Sequence, residues 1–386
     1  MAGNNLIQKL KKMWVMSFTR WPYKIERFSQ LYTKPIGESL NVAEDLSAIL
    51  LKETGSTIYY PQLAEAVNNK LTVYYVQGKE RYLISGIFKE PDRYIYSVSN
   101  GCLLGPWGLV YDKDKRTFIN ESAKEWFDDL KDSPFTNILN FPERVKLKGI
   151  TISCLTNGAD AGFYHFLFES IIKIYFFKQV IDNADFILFN GPVNDWKLKW
   201  INRAGINTDK IIWVNNAAHY ECDQLIFSSR LINDQQISNW CVNALKSLFC
   251  VSQPQAATSS SKKVILISRK GFIRDIQWEE LILSSYPEIE RIYLSSLSDD
   301  DTISQLQDAT HVIGPHGAGL SNIYLCRPGT KVLEIYPNGK SYQPCYYRIS
   351  SICDLKYSVI YLDMENAENA TSGFKAFKEL MGTFLC

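Results

Sequence analysis

The sequence predicts an α/β protein of two Rossmann-like domains facing each other across a cleft, preceded by an N-terminal extension. Three observations predict it. From Gly149 onward, short apolar strands alternate with helical stretches, the pattern of a parallel sheet covered by helices. At 252–263 the stretch SQPQAATSSSKK is small and polar, without periodicity, and reads as a linker. A second alternating unit follows it. The chain of 386 residues is long enough for two such domains. A ligand of this architecture binds in the cleft, at the carboxyl ends of the strands.

The elements follow in chain order. Residues 1–30 stand apart: Leu6, Leu10, Met13, Trp14 and Trp21 recur at helical spacing among Lys9, Lys11, Lys12, Arg20, Lys24 and Arg27. A basic, aromatic, amphipathic helix of this kind lies in a membrane interface, or packs on its own domain or a partner. Residues 31–251 make the first domain. Ser39 to Lys52 has helical apolar spacing, while Leu71–Tyr75, Tyr82–Ile87 and Tyr94–Val98 alternate like strands. Gly105, Pro106 and Gly108, then Leu109–Tyr111 and Thr117–Ile119 around a charged turn, signal a hairpin. Ile150–Leu155 is a strand and Phe163–Ile181 a long aromatic helix. Strands at Asp185–Asn190, Lys210–Val214 and Gln224–Phe227 alternate with helices at Trp196–Ala204 and Ile237–Phe249.

After the linker, residues 264–365 make the second domain. Its strands are Val264–Ser268, Ile289–Leu294, His311–Gly314, Lys331–Tyr336 and Tyr357–Leu362. Its helices are Trp278–Ser285, Thr302–Asp308 and Leu320–Cys326. Asp299, Asp300 and Asp301 suit the N-terminus of the second of these. A closing segment, 366–386, holds a last helix at Gly373–Phe384.

Composition narrows the function. Hydrophobic residues are 46% and charged residues 22%, as in soluble globular proteins. A net charge of +1 gives no electrostatic case for nucleic acid as a partner. The nine cysteines are scattered, with no CxxC pair and no zinc-site spacing. With no secretory signal and no apolar run of about 20 residues, the expected location is cytoplasmic, or at the inner face of a membrane through residues 1–30. A Walker GxxxxGK[ST] loop, a G-x-S-x-G elbow and an Asp-x-Asp metal motif are all absent from the sequence.

The candidate functional residues cluster in three places. In HVIGPHGAGLSNIYLCRPGTKVLEIY, His311 to Tyr336, a strand runs into a glycine turn around His316 and then a helix start. Gly317, Ala318 and Gly319 would let backbone N–H groups approach an anion, with Ser321 and Asn322 in the first helical turn. The same turn without a ligand is the alternative. Glu334, a lone acid in the apolar strand VLEI, is expected to be paired or to meet a ligand, and a ribose would suit it. Arg269, beside Lys270 at the end of the strand VILIS, could clamp a pyrophosphate, with Arg274 close in sequence; a solvated basic loop is the alternative. His165 and Glu169, at i and i+4, share a helix face, as a general base and its orienting carboxylate would. Asp160, in the preceding loop, is a second candidate base. A helix-start histidine satisfied within the fold is the alternative for His165.

The residues Val312–Asn322, followed by Pro328-Gly329 and Val332–Ile335, closely resemble the signature of glycosyltransferase family 61. Leu266–Arg269, the Tyr164-His165 helix start and the hairpin of Gly108 to Glu121 are similar to further blocks of that family, in order, over roughly 100–380. The resemblance implies a GT-B fold whose second domain binds a nucleotide-sugar donor. It implies inverting transfer to a hydroxyl of a glycan or lipid-linked glycan acceptor, as in capsular or surface polysaccharide synthesis. Arg269 and the His316–Gly319 loop would hold the donor diphosphate, Glu334 would meet the nucleoside, and His165, oriented by Glu169, would take the acceptor proton, with Asp160 as the alternative base. Neither a cofactor nor a divalent metal is required on this reading. Gly162, Phe163, Phe166, Ile172 and Lys173 depart from the family pattern, which puts the acceptor in doubt. A scaffold that kept the fold without the chemistry, and a nucleotide-sugar epimerase or hydrolase, are the alternative functions.

Overall fold

A computed structural model gives the fold and describes residues 24–26, 70–75, 78–83, 93, 95–113, 117–119, 122, 142–232, 237–251, 262–272, 274–337, 343–362 and 370–386. Residues 1–30 other than Lys24–Glu26, the expected helix at 39–52 and the linker at 252–261 lie outside the described residues. The protein is α/β, with two sheets and packed helices. Strands are numbered along the chain: β1 (Lys24–Glu26), β2 (Lys70–Tyr75), β3 (Gly78–Leu83), β4 (Ile95–Leu104), β5 (Leu109–Asp112), β6 (Thr117–Ile119) and β7 (Val145–Ser153). They continue as β8 (Phe186–Asn190), β9 (Ile211–Val214), β10 (His219–Ser228), β11 (Val264–Ile267), β12 (Ile289–Ile292), β13 (His311–Pro315), β14 (Lys331–Pro337) and β15 (Lys356–Leu362).

The described residues fall into two compact units. The first holds an eight-stranded sheet in the order β1-β6-β5-β4-β10-β7-β8-β9. Its β10, β7, β8 and β9 run parallel, and β4, β5 and β6 extend them as an antiparallel meander. The expected hairpin is therefore present as β5–β6, with Asp112 opposite Thr117.

The second unit holds a seven-stranded sheet in the order β12-β11-β13-β14-β15-β2-β3, parallel except for the β2–β3 hairpin. Counted from β11, the strands β11 to β15 are ordered 2-1-3-4-5, the doubly wound arrangement whose switch point lies between the first and third strands, and β2 adds a sixth parallel strand beside β15. Here that point is the gap beyond the carboxyl ends of β11 and β13. Val264, Leu266, Ile313, Leu333 and Ile335 share one core cluster, while Ile265, Val312 and Val332 are just as buried on the opposite face. Burial on both faces explains why these strands read as unbroken apolar runs.

The units do not follow the expected boundaries. The hairpin β2–β3 extends the second sheet, and residues 195–204 and 237–251 also pack with the second unit. Helix Asp195–Arg203 is tied there by Arg203, which binds Asp299 at 2.6 Å and Asp300 at 2.7 Å. Those acids open helix Asp299–Asp308, capped by the Ser298 hydroxyl accepting from the Asp301 N–H at 3.0 Å. Strand pairing is non-local, so periodicity along the chain does not reveal which sheet a strand joins.

The last helix, Ala370–Phe384, lays Phe377, Leu380, Met381 and Phe384 into the second unit's core at helical spacing. Phe377 is fully buried against Trp278, with ring centroids 5.7 Å apart. Phe377→Ala is expected to cost about 3–5 kcal/mol from lost burial plus the cavity left behind. Urea unfolding followed by circular dichroism reads this as a lowered midpoint of the second unit's transition.

Candidate functional site

In the second unit the glycine turn follows β13, as expected, but it opens a 3-10 helix, Ala318–Leu325. The space a side chain at Gly317 would fill is occupied by Arg269: a methyl group there would lie 1.7 Å from the arginine Nη1 and 2.6 Å from Cζ. A methyl at Gly319 would meet Ile267 at 3.0 Å, and one at Gly314 would meet Leu320 at 3.1 Å. The glycines therefore first admit an arginine and close packing of the turn on β11, rather than a ligand directly.

Arg269 thus lies at the switch point, bridging the ends of β11 and β13. Its Nε is buried without a hydrogen-bond partner, and no carboxylate pairs with it among the described residues. Burial, and then the neighbouring Arg274, lower its pKa, while Tyr346 opposes. Arg269 and Arg274 bring two positive charges to this turn, with the buried Glu334 within electrostatic reach of Arg274. Arg274 also holds a left-handed backbone, φ 68°, uncommon outside glycine and a cost that functional loops carry. Lys270 behaves differently: its ammonium binds Glu280 at 2.8 Å on the surface.

His316 is buried, and its Nδ1 meets Glu334 Oε1 at 2.5 Å. The other Glu334 oxygen accepts from the Tyr357 hydroxyl. Glu334 is fully buried, and burial raises its pKa against the pull of His316. Both carboxylate oxygens are thus engaged, so the expected contact of Glu334 with a ribose gives way to a contact with His316. Tyr336 and Tyr346 flank the imidazole, with centroids at 4.4 and 5.4 Å. Ser321 is fully buried beside the Tyr346 hydroxyl. Asn322 donates to the Gly319 carbonyl at 3.1 Å, and its buried Oδ1 has no partner among the described residues.

In the first unit His165 stands near the start of the long helix that follows β7. That helix is continuous in three parts: α at Phe163–His165, π at Phe166–Ile171 and α at Ile172–Phe176. A π segment inside an α-helix is a frequent mark of a functional site. Glu169 lies within it, and its Oε1 meets His165 Nδ1 at 2.9 Å. Its Oε2 accepts from the Thr156 hydroxyl at 3.3 Å. Asn190, at the end of β8, fixes Thr156 in turn: Oδ1 accepts from the Thr156 N–H at 3.1 Å, and Nδ2 donates to the Thr156 carbonyl at 2.9 Å. Gly158 and Gly162 close on the imidazole, since a methyl on either would lie 2.9 Å from His165 Cδ2. Asp160 is exposed in the preceding turn.

Sequence reasoning did not find Thr156, Asn190, Gly158, Tyr346 or Tyr357. Their signal was available only as polar residues or glycines near strand ends. Among the described residues no group of three or more His, Cys, Asp or Glu side chains is placed to hold a metal ion. No helix among them is long and apolar enough to cross a membrane.

The second unit is thus a mainly parallel α/β sheet with Arg269, unpaired by any carboxylate among the described residues, at its switch point. Residues 163–333 match the family model described as Glycosyltransferase 61, the family that the sequence resembles. The match contains His165, Glu169, Arg269 and the His316–Asn322 turn; Asp160 and Glu334 lie just outside it. A stretch of 93 residues is 31% identical to a beta-1,2-xylosyltransferase of Arabidopsis thaliana, covering 24% of this chain and 17% of that protein.

Proposed function

We propose that this protein is an inverting glycosyltransferase of GT-B architecture. It moves a sugar from a nucleotide-sugar donor to a hydroxyl of a glycan or lipid-linked glycan. The observation that carries the reading is the Arg269 guanidinium, seated on Gly317 at the switch point without an acidic partner among the described residues. A donor diphosphate supplies the missing charge. Arg269 receives it in the fork geometry an arginine offers to phosphate, with Arg274 and the Ala318–Leu325 helix start beside it.

The reaction on this reading is one displacement. The acceptor oxygen bonds to the anomeric carbon as the bond from that carbon to the diphosphate oxygen breaks. His165, oriented by Glu169, takes the acceptor proton, with Asp160 as the second candidate. Arginine charge stabilises the departing nucleoside diphosphate, and no divalent metal enters. A cytoplasmic location, with residues 1–30 in peripheral contact with a membrane, belongs to the same proposal.

The test is incubation of the full chain with hexose and pentose nucleotide sugars, with and without glycan acceptors. The match to a xylosyltransferase puts pentosyl donors in the panel. Turnover of one donor that rises with an acceptor is expected. Turnover indifferent to every acceptor would favour a hydrolase or epimerase, and donor binding without turnover a scaffold.

A further inference from the structure

We propose that Glu334 and Tyr357 are positioning residues: they hold His316 so that its second ring nitrogen presents an N–H to the donor diphosphate. The inference deepens the donor-site reading and rests on it. Glu334 sits in β14 in register with Gly314 of β13, and His316 follows two residues after that glycine. Strand register therefore brings the carboxylate to the imidazole, and the contact at Nδ1 is 2.5 Å. The Tyr357 hydroxyl, from β15, donates to the remaining oxygen and holds the carboxyl plane. A carboxylate on one ring nitrogen fixes what the other can do, the arrangement used wherever a histidine must keep one tautomer.

The surroundings favour a ring that donates. β14 also brings Tyr336 and the helix Cys345–Ile352 brings Tyr346, both against the imidazole. Cys345 and Arg274 lie within electrostatic reach of Glu334, and Arg269 covers the adjacent Gly317. Glu334 is the one acid in this set, and it is fully buried.

While His316 and Glu334 share one proton, Nε2 carries hydrogen whichever partner holds it. Once that proton leaves, the carboxylate keeps the remaining N–H at Nδ1. Nε2 then offers a lone pair to the phosphate oxygens, and binding weakens. A negative charge against the ring favours the protonated pair. Glu334→Gln removes that charge and keeps the shape, so the proton is lost at lower pH.

The experiment measures binding of inorganic pyrophosphate to the full chain by calorimetry from pH 5.5 to 8.5. The ratio of Glu334→Gln to wild-type dissociation constants at each pH cancels the titration of pyrophosphate itself. The ratio should stay close to one at the acid end and rise to about tenfold by the alkaline end, the size of a one-unit shift in a proton equilibrium. Tyr357→Phe removes a hydrogen bond that stabilises the carboxylate, so the pair keeps its proton to higher pH and the corresponding ratio should fall below one toward the alkaline end; this variant serves alone if Glu334→Gln does not fold. A ratio independent of pH, which a merely structural contact would give, overturns the inference and leaves the donor site standing. Wild-type protein that binds no pyrophosphate at any pH overturns both.

Discussion

His165→Ala is expected to lower turnover by about a hundredfold to ten-thousandfold, the usual reach of a general base, while the donor dissociation constant changes by no more than about twofold. The size of the effect follows from how firmly the ring is held. Nδ1 is fixed by Glu169 at 2.9 Å, and Glu169 by the Thr156 hydroxyl at 3.3 Å. Asn190 locks the Thr156 backbone from the neighbouring strand through two hydrogen bonds. Gly158 and Gly162 leave no room on the ring for any side chain of their own. A histidine that only filled space would not need a carboxylate, a threonine and an asparagine in series. Steady-state rates with saturating donor, together with donor binding by calorimetry, separate a lost base from a lost site. If His165→Ala keeps full turnover while Asp160→Asn loses it, the base is Asp160.

Much of the second unit was legible because its parallel strands are buried on both faces, so β11, β13 and β14 appear as the apolar runs VILI, HVIGP and KVLEIYP. The Asp299–Asp301 run announced a helix N-terminus for the same local reason: its capping serine and acids sit within one turn. The π segment was not legible. Phe166 to Ile171 are all buried, so the sequence carries no amphipathic period from which a change of pitch could be read. Glu334 was correctly marked as an acid that needed a partner, yet the partner comes from the neighbouring strand and depends on register. Lys270 looked like Arg269 in the sequence, and Glu280, ten residues later, turns it outward to the surface. Gly317 looked like a phosphate-loop glycine. Its reason for being glycine is an arginine from another strand end, a contact no local pattern encodes.

That contact gives the second large effect. Gly317→Ala and Arg269→Ala are each expected to weaken nucleotide-sugar binding by about a hundredfold, some 2.7 kcal/mol. The arginine value follows from losing one or two charge-assisted hydrogen bonds to the diphosphate, each worth about 1.5–3 kcal/mol. The glycine should match it for a steric reason. A methyl group 1.7 Å from Nη1 cannot coexist with the guanidinium, and the flexible arginine yields before the backbone of β13 does. The alanine also meets backbone strain at the Gly317 φ of 157°, so thermal unfolding of the variant accompanies the binding measurement, and the expected state is a folded chain with Arg269 displaced from the switch point. Arg269→Lys should not rescue binding, because an ammonium lacks the planar fork. The decisive comparison is the double variant. Two changes that act through one guanidinium are not additive, so Gly317→Ala with Arg269→Ala should bind no worse than either alone. Full additivity would mean that Gly317 contacts the donor through its own backbone, as the glycine turn alone had suggested, and that the arginine acts elsewhere.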